Sequence, residues 1–244
     1  MNGLRKKNQK GAAMRRKRRT PQLKSPLWLQ KTKETVLDIV YPEGAICLGC
    51  GKISDGRCLC AACREELLHS GMLYAWERRD VDGVDVWSAR LYSGLARRLV
   101  WRLKYEANAC VAKELAEVVV SLPKELVLSP GTIVTWVPMP AGRRRERCVD
   151  HGRLLAEETA KKLRLLCRQL LIRQDERAHT QEGLNREKRI MNLANAFVPR
   201  QRVTFPVLLI DDVLTTGTTA GRCIRALRDA GARDITVLTF THTR

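Results

Sequence analysis

The segment Val207-Leu208-Leu209-Ile210-Asp211-Asp212-Val213-Leu214-Thr215-Thr216-Gly217-Thr218-Thr219 constrains the fold more than any other part of the chain. Four aliphatic residues, set between Pro206 and two acids, have no polar face. They read as a short strand covered on both sides in a parallel sheet. After the small hydroxylated turn 215–219, the apolar positions Ala220, Cys223, Ile224, Leu227 and Ala230 recur at helical spacing, so the turn opens a helix. Asp211 and Asp212 are thereby expected at the carboxyl end of the strand, where open α/β sheets bind their ligands.

A turn that opens a helix presents unpaired backbone N–H groups and the positive end of the helix dipole, which together suit a phosphate. Gly217 lets the phosphate approach, Thr216 and Thr219 add hydroxyls, and Thr215 and Thr218 complete the turn. Two carboxylates would repel that phosphate, so Asp211 and Asp212 must face hydroxyls or a metal. A sugar phosphate satisfies both ends. A Gly-Lys-Ser/Thr phosphate loop is ruled out, because no lysine follows Gly217. The stretch resembles the phosphoribosyl-pyrophosphate (PRPP) signature of the type I phosphoribosyltransferases. The plainer alternative is a buried strand whose acids cap the next helix.

Charge is unevenly spread over the 244 residues. Twelve of the 45 Lys and Arg lie in residues 1–33, where no acid occurs, leaving 33 against 26 acids in the rest. Residues 1–33 therefore read as a disordered basic tail. Such a tail can grip single-stranded DNA or an anionic surface by counterion release, or be merely solvated. No apolar run approaches the ~18 residues needed to span a bilayer. Pro26 and Gln30 interrupt the apolar piece that a secretory signal would need. The expected location is cytoplasmic, with peripheral contact at the inner face of the membrane open.

Nine cysteines, an odd number at short spacings, suit metal binding better than a disulfide framework. Cys47-x-x-Cys50 and Cys60-x-x-Cys63 form two knuckles that can converge four thiolates on one structural zinc. The expected element spans residues 34–75 and is too small for a core of its own. Cys58 could replace Cys60 as a ligand or stand beside the site as a spare thiol.

The rest of the expected main domain, residues 76–244, alternates strands and helices. A strand at 84–92 leads to a helix capped by Ser93, with Leu95, Leu99, Val100 and Leu103 on one face and Lys104 at its end. A second helix carries Val111, Leu115, Val118, Val119 and Leu122. A buried strand at 132–137 exits through Pro138-Met139-Pro140 into Arg143, Arg144, Arg145 and Arg147, guanidiniums suited to clamping pyrophosphate. A helix at 154–166 and a strand near 169–172 follow, then a long polar connection, 173–195, read as a lid. The last strand is expected at 235–240.

In that order these motifs resemble the ComF family. The resemblance rests on Cys47, Cys50, Cys60 and Cys63, on Leu103-Lys104-Tyr105, and on Val137-Pro138-Met139-Pro140 with its arginines. It extends over Gln181-Glu182-Gly183-Leu184 through Arg189, Asn192 and Phe197, and over the 207–219 stretch. It implies a zinc-ribbon-like element before a type I phosphoribosyltransferase-like parallel sheet with helices on both faces. It also implies a role in DNA uptake during natural competence, with a helicase partner. The family's Arg-Gly-Phe-Asn-Gln is here Arg147 followed by Cys148-Val149-Asp150-His151, which stiffens the loop and adds a negative charge near the expected pyrophosphate.

The chemistry expected from these residues is displacement of pyrophosphate from PRPP or binding of a related ribose 5-phosphate compound. Thr215, Thr216, Gly217, Thr218 and Thr219 would hold the 5-phosphate, and Asp211 and Asp212 the ribose hydroxyls. Arg143, Arg144 and Arg147 would stabilise the leaving group, with Mg2+ neutralising it. The competing expectation is a non-catalytic DNA-uptake accessory, or a ligand sensor, that retains the fold.

Overall fold

The computed structural model describes residues 45–69, 76–140, 149–174 and 197–244. The basic tail, the arginine cluster from Arg143 to Arg147 and the polar connection with His179 and 181–189 lie outside the described residues.

In chain order the elements are α1 (Ala61–His69), β1 (Glu77–Val81), β2 (Val84–Leu91), α2 (Gly94–Glu106), α3 (Ala109–Val120) and β3 (Ile133–Trp136). They continue with α4 (His151–Leu163), β4 (Leu166–Cys167), β5 (Leu171–Arg173), β6 (Phe197–Pro199), β7 (Val207–Leu214), α5 (Thr218–Asp229) and β8 (Ile235–His242).

Among the described residues six strands form one sheet in the order β1-β2-β8-β7-β3-β4. The β1–β2 pair is antiparallel and the other four pairings are parallel. This is the mixed, mostly parallel α/β architecture that the buried run at 207–210 implies, because a strand covered on both faces needs helices on both faces. One face packs Trp87, Val134, Trp136, Leu208, Ile210, Leu238 and Phe240 against α2, α3 and α4. The other packs Val86, Leu209 and Val237 against α5 and the separate β5–β6 ribbon.

The helices form where apolar spacing and capping coincide. The Asn108 side chain accepts hydrogen bonds from the amides of Cys110 and Val111 and starts α3, whose Val111, Leu115, Val118 and Val119 are buried. Asp150 caps α4 by accepting from the Arg153 amide, so this helix begins three residues before the expected start. Ser93 precedes α2 but makes no side-chain cap bond.

β7 departs most informatively from expectation. It runs through both acids to Leu214, with Asp211 paired to Thr239 and Val213 to Thr241. The four-cysteine element shares a core with the helices, since Cys47, Leu59, Cys63 and Leu67 join the same buried cluster as Leu95, Leu99 and Leu115.

Candidate functional site

At the carboxyl end of β7 the chain turns through 215–217 into α5. Gly217 is the N-cap, with φ +77°, and a Cβ there would meet Val81 Cγ2 at 3.0 Å. Both facts call for glycine. Thr215, Thr216, Thr218 and Thr219 are exposed, whereas Gly217 is buried beneath them. The Thr216 and Thr218 hydroxyls lie 2.9 Å apart. The N-cap Gly217 supplies no side chain and no residue of the first turn of α5 is acidic, while the Thr218 amide donates to the Thr216 hydroxyl at 3.4 Å. A helix start of that kind leaves amide hydrogens and a positive dipole end for an outside anion.

The two acids beside the turn are not equivalent. Successive strand residues face opposite sides of a sheet, and Asp212 faces the α2–α4 side. Its Oδ1 lies 3.0 Å from Lys104 Nζ, at the end of α2. Its Oδ2 lies 3.1 Å from His151 Nε2, at the start of α4. Asp212 is only 4% exposed. Burial raises its pKa, but the hydrogen bond from His151 and the charge of Lys104 outweigh burial and hold it below the usual carboxylate range.

Asp211 is only half-buried, and its Oδ1 accepts from the Asp212 amide at 2.9 Å. Burial, followed by repulsion from Asp212, pushes its pKa up to about 7. One acid is thus locked into a Lys–Asp–His cluster and the other is poised near neutrality. Lys104, which the sequence places at the end of its helix, pairs with Asp212. His151 was not singled out at all. The only signal for it was its place directly after a capping aspartate.

Asp150 caps α4 and accepts from the Trp136 indole N–H at 3.2 Å. A cavity of about 570 Å³ beside it is lined by Trp136, Asp150, Arg153, Leu154, Glu157 and Cys167. That cavity opens at the β3–β4 edge, whereas the threonine turn follows the central β7. Arg143, Arg144 and Arg147 lie outside the described residues.

Cys47, Cys50, Cys60 and Cys63 converge as their spacing requires. Their sulfurs all lie within 4.8 Å of one another, with Cys50 and Cys60 3.7 Å apart. A tetrahedral site with metal–sulfur bonds of about 2.3 Å has sulfur–sulfur edges of about 3.8 Å, so the cluster fits a four-sulfur metal centre. The amides of Gly49 and Cys60 donate to the Cys47 sulfur. Burial raises the Cys47 pKa, but these amide bonds prevail and bring it down to about 6. Burial and the neighbouring sulfurs push Cys63 up. Cys58 is no member of the cluster: it forms a disulfide with Cys110.

No protein-family model matches the chain. Among curated proteins, Competence protein F of Haemophilus influenzae is 25% identical over 207 residues, covering 80% of this chain and 89% of that relative. The chain is similar to Competence protein F. Solved structures similar to this chain include an allosteric regulatory enzyme of purine biosynthesis, 18% identical with a TM-score of 0.38, covering 72% of this chain and 30% of that one. Adenine phosphoribosyltransferase from Leishmania donovani is 13% identical with a TM-score of 0.38, covering 69% and 86%. Glutamine PRPP amidotransferase from B. subtilis is 17% identical with a TM-score of 0.37, covering 72% and 30%. The ComF-like chain thus spans about 30% of the length of two of these structures. Among the described residues no helix is long and apolar enough to cross a membrane.

Proposed function

We propose that the ComF-like chain binds PRPP or a related ribose 5-phosphate compound, with the 5-phosphate in the turn 215–219, and that it serves DNA uptake in competence. The observation that carries this reading is the exposed threonine turn on Gly217, which opens a helix with no acidic residue of its own in the first turn beside Asp211. Asp211 is the carboxylate available to a ribose hydroxyl or to Mg2+. Asp212 acts as a positioning residue that ties α2 and α4 to the site through Lys104 and His151. Arg143, Arg144 and Arg147 are assigned to the pyrophosphate, and a structural zinc to Cys47, Cys50, Cys60 and Cys63. When bound, Mg2+ would neutralise the pyrophosphate leaving group.

The enzyme reading is tested by incubating the protein with PRPP, Mg2+ and a panel of bases and amines. Pyrophosphate release above that of an Asp211→Ala, Asp212→Ala double variant supports transfer. Release equal to that control removes it.

A second reading, a DNA-handling accessory without turnover, is favoured by the commitment of both Asp212 oxygens to protein side chains, Lys104 and His151. On α2, Trp101 is 52% and Tyr105 57% exposed, and their rings lie 5.1 Å apart with Arg97 and Arg98 alongside. Exposed neighbouring aromatics among guanidiniums suit single-stranded DNA. This reading predicts that Trp101→Ala weakens single-stranded DNA binding by roughly tenfold in a fluorescence-anisotropy titration. Unchanged affinity would take α2 out of any DNA contact.

A further inference from the structure

Cys58 and Cys110 are separated by 52 residues, yet their Cα atoms lie 6.0 Å apart. That spacing is ordinary for a disulfide, so the fold itself brings the pair together. We propose that Cys58–Cys110 is a reversible thiol–disulfide site that fastens the four-cysteine element to the first turn of α3 and exchanges with small-molecule disulfides of the glutathione type.

The two ends of the bond differ in a way that suits exchange. Cys58 is 5% exposed, within the loop that carries Cys50 and Cys60 and next to fully buried Leu59. Cys110 is exposed, at the second position of α3, where the Asn108 side chain holds its amide. Reagents therefore reach the pair from the Cys110 side. The four clustered sulfurs converge on one another, and Cys58 is directed away from them to Cys110.

Other links between the element and the helices are non-covalent. Arg98 Nε donates to the Gly49 carbonyl at 2.9 Å. Arg64 pairs with Glu114 of α3 at 3.4 Å. Gly49 packs closely enough on Leu95 and Cys63 that a Cβ there would come within 3 Å of both. A covalent bond to α3 adds a tether that these contacts cannot supply, and one that a redox change removes.

In the oxidising direction the Cys110 thiolate attacks one sulfur of the small disulfide, forming a mixed disulfide and expelling one thiolate. The Cys58 thiolate then attacks the Cys110 sulfur and expels the second. Overall the protein dithiol loses two electrons and two protons, and the small disulfide becomes two thiols. Reduction by the same thiols runs the two steps in reverse.

The test equilibrates the full chain in glutathione buffers of varied oxidised-to-reduced ratio, then alkylates free thiols and quantifies the 58–110 cross-linked peptide by mass spectrometry. The expected result is a cross-link that forms and disappears with the ratio. The melting temperature should be higher in the cross-linked form by on the order of 5 °C. Cys110→Ser, at an exposed position, should lose both the cross-link and its redox-dependent part of the melting temperature. The proposal is overturned if both cysteines alkylate at every ratio, or if Cys58 links to a clustered cysteine instead. It also fails if reduced glutathione never opens the bond, or if Cys110→Ser keeps the full redox-dependent shift.

Discussion

At the residue scale the adjacent acids Asp211 and Asp212 show how position along one strand assigns different chemistry to identical side chains. Asp212 enters the α2–α4 side, where Lys104 and His151 compensate its burial. Asp211 is left with a single amide donor and titrates near 7. A carboxyl whose native pKa lies above its ordinary value of 3.8 binds more protons folded than unfolded across that interval. Its contribution is therefore complete below the unfolded pKa and is lost as the pH rises through about 7. Asp211→Asn should raise the melting temperature relative to the unmodified chain at pH 8, by up to a few kcal/mol in stability, and have little effect at pH 4. An equal gain at both values would mean that Asp211 is not proton-linked to folding. Gly217 makes a second residue-scale point. Gly217→Ala combines a left-handed backbone with a clash against Val81 and should cost roughly 1–2 kcal/mol in urea unfolding, whereas a neutral result would deny the turn its geometry.

Among the elements, what could be read from the sequence divides by distance along the chain. The helical periods of α2, α3 and α5, the covered strands β3, β7 and β8, and the four-thiolate cluster depend on residues a few positions apart, and they stand out in the pattern alone. The end of β7 did not. Two aspartates look like a strand terminus because buried carboxylates are costly, and here side chains from positions 104 and 151 meet the buried Asp212 within the strand. Likewise, nothing near Cys58 announces Cys110, and the start of α4 was hidden by taking Asp150 for a loop charge rather than a cap. The cysteine element has its own test. If the four sulfurs hold zinc as proposed, Cys60→Ser should abolish stoichiometric zinc in metal analysis and increase amide exchange across residues 47–63, because a bound metal would tie those residues together. Full zinc content with unchanged protection would move the ligand set elsewhere.

Among the described residues, the mostly parallel sheet carries at the end of its strand β7 the exposed turn 215–217, with α2 and α4 tied to that strand through one buried acid. The likeness to Competence protein F extends over 80% of this chain, and the sheet order is that of a mixed, mostly parallel α/β fold. The central claim is that the turn 215–219 receives a sugar phosphate. It is tested most directly by calorimetric titration of PRPP and ribose 5-phosphate, in Mg2+ buffer, into the unmodified chain and Thr219→Glu. A glutamate in the first turn of α5 favours the helix dipole and leaves the fold intact, yet places negative charge where the phosphate would sit. The account predicts saturable binding to the unmodified chain and at least tenfold weaker binding to Thr219→Glu at an unchanged melting temperature. Absence of binding to the unmodified chain, or equal affinity in both proteins, would contradict it.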